Sequence, residues 1–237
     1  MESIGWRNPI INHYLLTLPE GLLLIDTGYA EQYGPFKKQL RARGLSLADI
    51  RYVLLTHAHD DHAGFLNKLL AQTEARVILH PEAVGRLASG RNSFEGGCTS
   101  LLSLAFCLIL GLFGKGEHRF EPVDRPGRYL STHTDVSQLE RILPGRIVEL
   151  PGHTPDSIGL LTDDGTLYCG DAAMHGLPSS HRISIWMEDQ ESYVRSWERI
   201  LEMAPREIRP SHGRPFPPDD LAHNLARARS TRVRPLR

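Results

Sequence analysis

Excess charge of either sign is missing from this sequence. Lys and Arg number 27 against 28 Asp and Glu, a formal net charge of −1. Such a balance supplies no global field for gathering nucleic acid, so no nucleic-acid partner is expected. Cysteine is scarce too: Cys98, Cys107 and Cys169 are an odd number with no C-x-x-C spacing. That argues against a disulfide framework and for a reducing compartment. The opening segment "MESIGWRNPI" has no basic stretch leading into an apolar one, so no secretory signal is expected. A cytoplasmic protein is the resulting expectation. Repeats and low-complexity linkers are also missing, which predicts a single domain over residues 1–237.

Hydrophobic residues, at 41%, are sufficient for a sizeable core. Short apolar runs read as strands: "NHYLLTL", "GLLLIDTG", "IRYVLLTH", "ARVILH", "RIVELPGH", "SIGLLTD", "GTLYCGD" and "REIRPSHG". Helical patterns separate some of them. "YGPFKKQLRARG" is amphipathic with a Gly stop, and "HPEAVGRLASG" carries Pro near a first turn. In "DQESYVRSWERILEMAP", Tyr193, Val194, Trp197, Ile200 and Leu201 recur at three- and four-residue intervals. The fold class is therefore α/β. Several strands end by delivering Asp or His into a loop, the pattern of an active-site rim.

Residues 51–64, "RYVLLTHAHDDHAG", concentrate this pattern. The spacing is His57-x-His59-x-Asp61-His62, and two residues apart on an extended segment point the same way. Imidazole and carboxylate are the donors for zinc and similar metals. Burying so many of them without partners would cost several kcal/mol. His153 in "PGHTPDS", Asp171 in "CGDAA" and His212 in "PSHGRP" extend the set. Together they suffice for two metals sharing a carboxylate.

"THAHDDHAG", with "PGHTPDS", "CGD" and "SHG" following in order and "LLLIDTG" before it, resembles the metallo-β-lactamase superfamily. The resemblance runs from about Asn12 to His212. It implies a four-layer αββα sandwich of two mixed sheets flanked by helices. It further implies His57, His59 and His153 on one ion, Asp61, His62 and His212 on a second, and Asp171 bridging. Asp26 would buttress the metal loop without being a ligand. The implied cofactors are two divalent ions, Zn(2+) first, with Fe or Mn as alternatives. A hydroxide held between them would attack the substrate, with Asp61 exchanging protons.

The bridging Asp171 resembles the lactonase and glyoxalase II branch, not the true β-lactamases. The reading is a hydrolase of a lactone, thioester or other carboxylic ester with an apolar portion, acting on a small molecule. The alternatives are a phosphodiesterase, for which Arg182 and Arg214 lie near ligands in sequence, and a mononuclear iron persulfide dioxygenase-like oxidoreductase. Quorum-signal lactonases place a tyrosine shortly after the bridging aspartate. Here Met174 and His175 stand there, with His181 further on, and these are the substrate-contact candidates.

Residues 96–114, "GGCTSLLSLAFCLILGLFG", carry no charge. They lie between ligands of one site, so no transmembrane span is expected. Three readings stand: a core helix buried on all sides, an apolar lid within an insertion at 94–118, or a homodimer or membrane-surface contact. The basic tail, residues 226–237, reads as a solvated and partly frayed terminus, with phosphate binding as the alternative.

Overall fold

The computed structural model describes residues 3–7, 11–112 and 117–236. In chain order the elements are β1 (Ser3–Arg7), β2 (Asn12–Leu18), β3 (Gly21–Ile25), α1 (Tyr33–Arg41), β4 (Ile50–Leu54), α2 (Asp60–Ala63), α3 (Leu66–Leu70), β5 (Arg76–Leu79), α4 (Ala83–Ser89), β6 (Gly97–Cys98) and α5 (Leu101–Leu112). There follow β7 (Tyr129–Ser131), α6 (Val136–Ile142), β8 (Gly145–Glu149), β9 (Ile158–Thr162), β10 (Thr166–Gly170), β11 (Trp186–Met187), α7 (Gln190–Met203), β12 (Glu207–Pro210) and α8 (Asp219–Ser230). The chain divides into two compact units, one of residues 1–92 and 118–144, the other of 93–117 and 145–237.

The first unit holds a six-stranded mixed sheet in the order β1-β2-β3-β4-β5-β7. β1, β2 and β3 pair antiparallel, and β3, β4, β5 and β7 pair parallel. Leu22 and Leu24 of β3, Val53 of β4, and Val77 and Leu79 of β5 share one face by their two-residue spacing. They form a core with Phe36 and Leu40 of α1, Leu66 and Leu69 of α3, and Leu87 of α4. The alternate residues Leu23, Leu54 and Ile78 are also buried. Strands buried on both faces read as continuous apolar runs, which is how β3 to β5 appear in the sequence.

The second unit contains a four-stranded sheet, β12-β10-β9-β8, and a two-stranded ribbon of β6 and β11. β8 and β10 both run antiparallel to β9, and β10 runs parallel to β12. β8, β10 and β12 therefore point the same way and end at one edge. Tyr193, Val194, Trp197 and Ile200 of α7 pack with Val148, Leu167 and Ile208 from the sheet. Asp189 caps α7, its carboxylate accepting from the Ser192 amide at 2.5 Å.

Two readings of the sequence are corrected. The described part of the 96–114 segment is not a helix buried on all sides. In α5 only Ser103 is buried, while Leu101, Leu108 and Leu112 are 71%, 52% and 86% exposed. Residues 113 and 114, and the stretch to 116 within the 94–118 insertion, lie outside the described residues. Nor is the tail simply frayed. α8 continues to Ser230, and Arg234 exchanges backbone hydrogen bonds with Cys98 at 2.8 and 2.9 Å. The β6 edge offers open backbone groups, and the returning chain satisfies them. Cys98 also contacts the Cys107 side chain; that hydrogen bond, with burial, pushes the Cys98 thiol pKa upward.

Candidate metal centre

His57, His59, Asp61 and His62 all lie in the first unit. β3 and β4 are parallel neighbours, so Asp26 and Thr56 leave the same sheet edge. Asp26 is fully buried with a positive φ of 56°. That strained backbone is held by the bonds its carboxylate accepts. They come from the Thr56 amide, the Thr56 hydroxyl and His62 Nδ1, each at 2.8 Å. α2 then carries Asp61 and His62 on its single turn.

These bonds set the imidazole tautomers. Asp26 bonded to His62 Nδ1 places the proton there and the lone pair on Nε2. The Thr56 hydroxyl gives its proton to Asp26, so it accepts from His57 Nδ1 at 3.1 Å. His57 thus presents a basic Nε2 as well. That nitrogen lies 3.2 Å from His59 Nδ1. Two donors about 2.0–2.1 Å from a tetrahedral metal are separated by roughly 3.3–3.4 Å, so the pair fits one coordination edge. Asp61 Oδ1 stands 3.6 Å from His62 Nε2, with 15% of its side chain exposed.

His153, Asp171 and His212 lie in the second unit, just beyond the aligned ends of β8, β10 and β12. His153 Nδ1 bonds the Trp186 carbonyl at 2.8 Å. A carbonyl only accepts, so Nδ1 carries the proton and Nε2 the lone pair. Asp171 Oδ2 is 3.7 Å from that Nε2 and 3.4 Å from His212 Nε2. The Trp197 indole donates to the Ala172 carbonyl at 2.7 Å and steadies the loop after Asp171. The donor chemistry of each unit fits a borderline divalent metal: buried imidazoles with defined tautomers beside carboxylates.

The substrate-contact candidates separate. Met174 is buried, and the Ser184 hydroxyl lies 3.7 Å from its sulfur. The His175 amide donates to the His212 carbonyl at 3.0 Å, which places His175 beside a ligand. His181 is exposed and 3.2 Å from Asn224 in α8. Arg182 is engaged by Asp220 at 2.6 Å.

Four further residues support the donors. Thr56 ties His57 to Asp26, and its sequence signal is a hydroxyl ending an apolar strand. Ser184 Oγ stands 3.2 Å from His153 Nδ1, and Trp186 holds that ring through its backbone. His13 Nε2 bonds the Thr27 carbonyl at 2.6 Å, and burial lowers the His13 pKa. These last three are set by contacts distant in sequence and leave no local pattern.

A family model described as the metallo-beta-lactamase superfamily matches residues 7–212. A Drosophila melanogaster relative, "Beta-lactamase-like protein 2 homolog", is 26% identical over 212 residues, 85% of this chain. The match spans 58% of that protein, under two thirds of its length. "Probable metallo-hydrolase YflN" of Bacillus subtilis (strain 168) is 23% identical over 90% of this chain and 84% of its own. The solved structure of TTHA1623 in a di-iron-bound form superposes with a TM-score of 0.61 at 23% identity, covering 97% of this chain and 99% of that one. The fold is therefore the metallo-beta-lactamase fold, and the chain belongs to the metallo-beta-lactamase superfamily.

Proposed function

We propose that the donors of the two units combine to hold two divalent cations and that the protein hydrolyses a lactone, thioester or other carboxylic ester with an apolar portion. His57, His59 and His153 would hold one ion, Asp61, His62 and His212 the other, with Asp171 shared. Zn(2+) is the first choice for imidazole-rich sites, with Fe or Mn as the alternatives. When bound, such ions supply Lewis acidity and bring the pKa of a coordinated water near neutrality.

The observation that carries this reading is the fixing of the imidazoles. His57, His62 and His153 each commit Nδ1 to an acceptor, through Thr56, Asp26 and the Trp186 carbonyl. Each therefore offers Nε2 in the form a metal needs, with its orientation set before binding. Asp61, partly exposed, takes a proton from the attacking water and returns it to the leaving atom. Met174 and His175 would line the substrate side beside His212. The engagement of Arg182 with Asp220 removes one of the two arginines that a phosphodiesterase reading would use.

The test is elemental analysis of the purified protein, coupled to a screen of lactones, thioesters and bis-p-nitrophenyl phosphate. Two ions per chain with turnover of a carboxylic ester are expected. A single iron per chain, or turnover confined to the phosphodiester, would overturn the proposal.

A further inference from the structure

In α5 apolar residues occupy the outward face as well as the inward one. Its inward stripe is Ser103, Leu104, Cys107 and Leu110, and Ser103 is the one fully buried residue. Its outward residues Leu101, Leu102, Phe106, Leu108, Ile109 and Leu112 are 37–86% exposed. The helix start is well made: the Ser100 amide donates to Ser103 Oγ at 2.9 Å and the Ser103 amide to Ser100 Oγ at 3.0 Å. The helix contains no charged residue. Single exposed apolar residues need no explanation, but a contiguous face of them marks an interaction site.

A cationic groove of about 420 Å³ adjoins the N-terminal end of α5. Thr99, Ser100 and Leu101 line one side, and Arg227, Arg232 and Arg234 the other. Among the described residues none of these three guanidinium groups forms an ion pair; Arg234 donates only to the Arg232 carbonyl, at 2.8 Å. Arg229, which shares α8 with Arg227, is paired with Glu198 at 2.7 Å. Three guanidinium groups without an ion pair are thus gathered beside the end of α5, the helix that presents exposed leucines.

We propose that this face docks on an anionic lipid surface. α5 would lie along the interface with its leucine, isoleucine and phenylalanine side chains in the acyl boundary, and Arg227, Arg232 and Arg234 would meet the headgroup phosphates. A helix of this length spans about 18 Å, against the roughly 30 Å of a hydrocarbon core, so it lies on the bilayer and does not cross it. No helix among the described residues is long and apolar enough to cross. Interfacial helices usually carry their own cations, whereas here α8 and the segment after it supply them. Stable attachment takes two signals, apolar insertion and a basic patch, and both are present. A second copy of the chain is a poorer occupant. An uncharged α5 has no acid to offer the arginines, and a self-complementary contact would bring like charges together. The proposal is independent of the metal reading.

Co-sedimentation of the full chain with phosphatidylcholine vesicles, with and without phosphatidylglycerol, tests it. Binding to the anionic vesicles is expected. Each cation near such a surface contributes about fivefold, so combining Arg227→Gln, Arg232→Gln and Arg234→Gln should weaken binding on the order of a hundredfold. Leu108→Asp with Ile109→Asp should weaken it on either vesicle. Phe106→Trp gives a second readout, a blue-shifted emission on adding anionic vesicles. Equal sedimentation with both vesicle types overturns the proposal. So does unchanged emission, or a concentration-dependent dimer that ignores vesicles.

Discussion

His62 Nδ1 and Asp26 Oδ2 are hydrogen-bonded at 2.8 Å with both side chains fully withdrawn from solvent. Asp26 also accepts from the Thr56 amide and hydroxyl. One carboxylate therefore fixes a ring directly and a second ring, that of His57, through a hydroxyl. Asp26→Asn should lower metal affinity by about 10–100-fold, because an amide cannot accept from all these donors and the His62 tautomer is released. Chelator competition reads the change. Affinity equal to that of the unaltered protein would show that Asp26 serves packing alone.

His57→Ala and Asp61→Asn should each abolish turnover. His57→Ala should also lower the metal content, because His57 Nε2 and His59 Nδ1 are placed as neighbouring donors. Elemental analysis beside the esterase assay reports both quantities. Normal rates and metal content in His57→Ala would refute its assignment as a ligand.

His13 gives the fold a pH dependence. Burial lowers its pKa below the ordinary histidine value of about 6.5. On acidification the unfolded chain therefore takes up a proton at this position before the folded one does. Stability then falls as pH drops below about 6.5, by up to about 1.4 kcal/mol per pH unit, until the folded pKa is reached. His13→Asn should flatten that part of the urea-midpoint profile between about pH 7 and pH 5. A parallel profile for the variant would assign the slope to other groups.

Gly152 precedes His153 with φ at 129°, and a Cβ there would stand 2.2 Å from the Tyr193 amide nitrogen. Its carbonyl also accepts from the Glu188 and Asp189 amides at 2.9 and 3.0 Å. Gly152→Ala should cost about 1–3 kcal/mol and pull His153 from the Trp186 carbonyl. Thermal unfolding reads the first effect and metal stoichiometry the second. A Tm within a degree of the parent's, with full metal content, would contradict the close approach.

Much of the architecture was written locally. The eight apolar runs became β2, β3, β4, β5, β8, β9, β10 and β12, because a strand buried on both faces must be apolar along its length and one buried on a single face at alternate positions. The three helical patterns became α1, α4 and α7, where spacing, Pro and Gly agree. The short β6, β7 and β11 were not legible. Two or three residues carry no periodicity, and their pairing comes from neighbours such as Trp186 opposite Cys98.

By itself the sequence determined which residue types stand at the strand ends, and hence the metal-ligating chemistry, since donor identity is a property of the side chain. Only the tertiary structure decided which ring nitrogen each histidine offers, because that depends on distant acceptors such as Asp26 and the Trp186 carbonyl. It also decided the fate of α5. An uncharged helix reads alike whether it is enclosed or displayed, and the difference lies in what the rest of the chain leaves beside it.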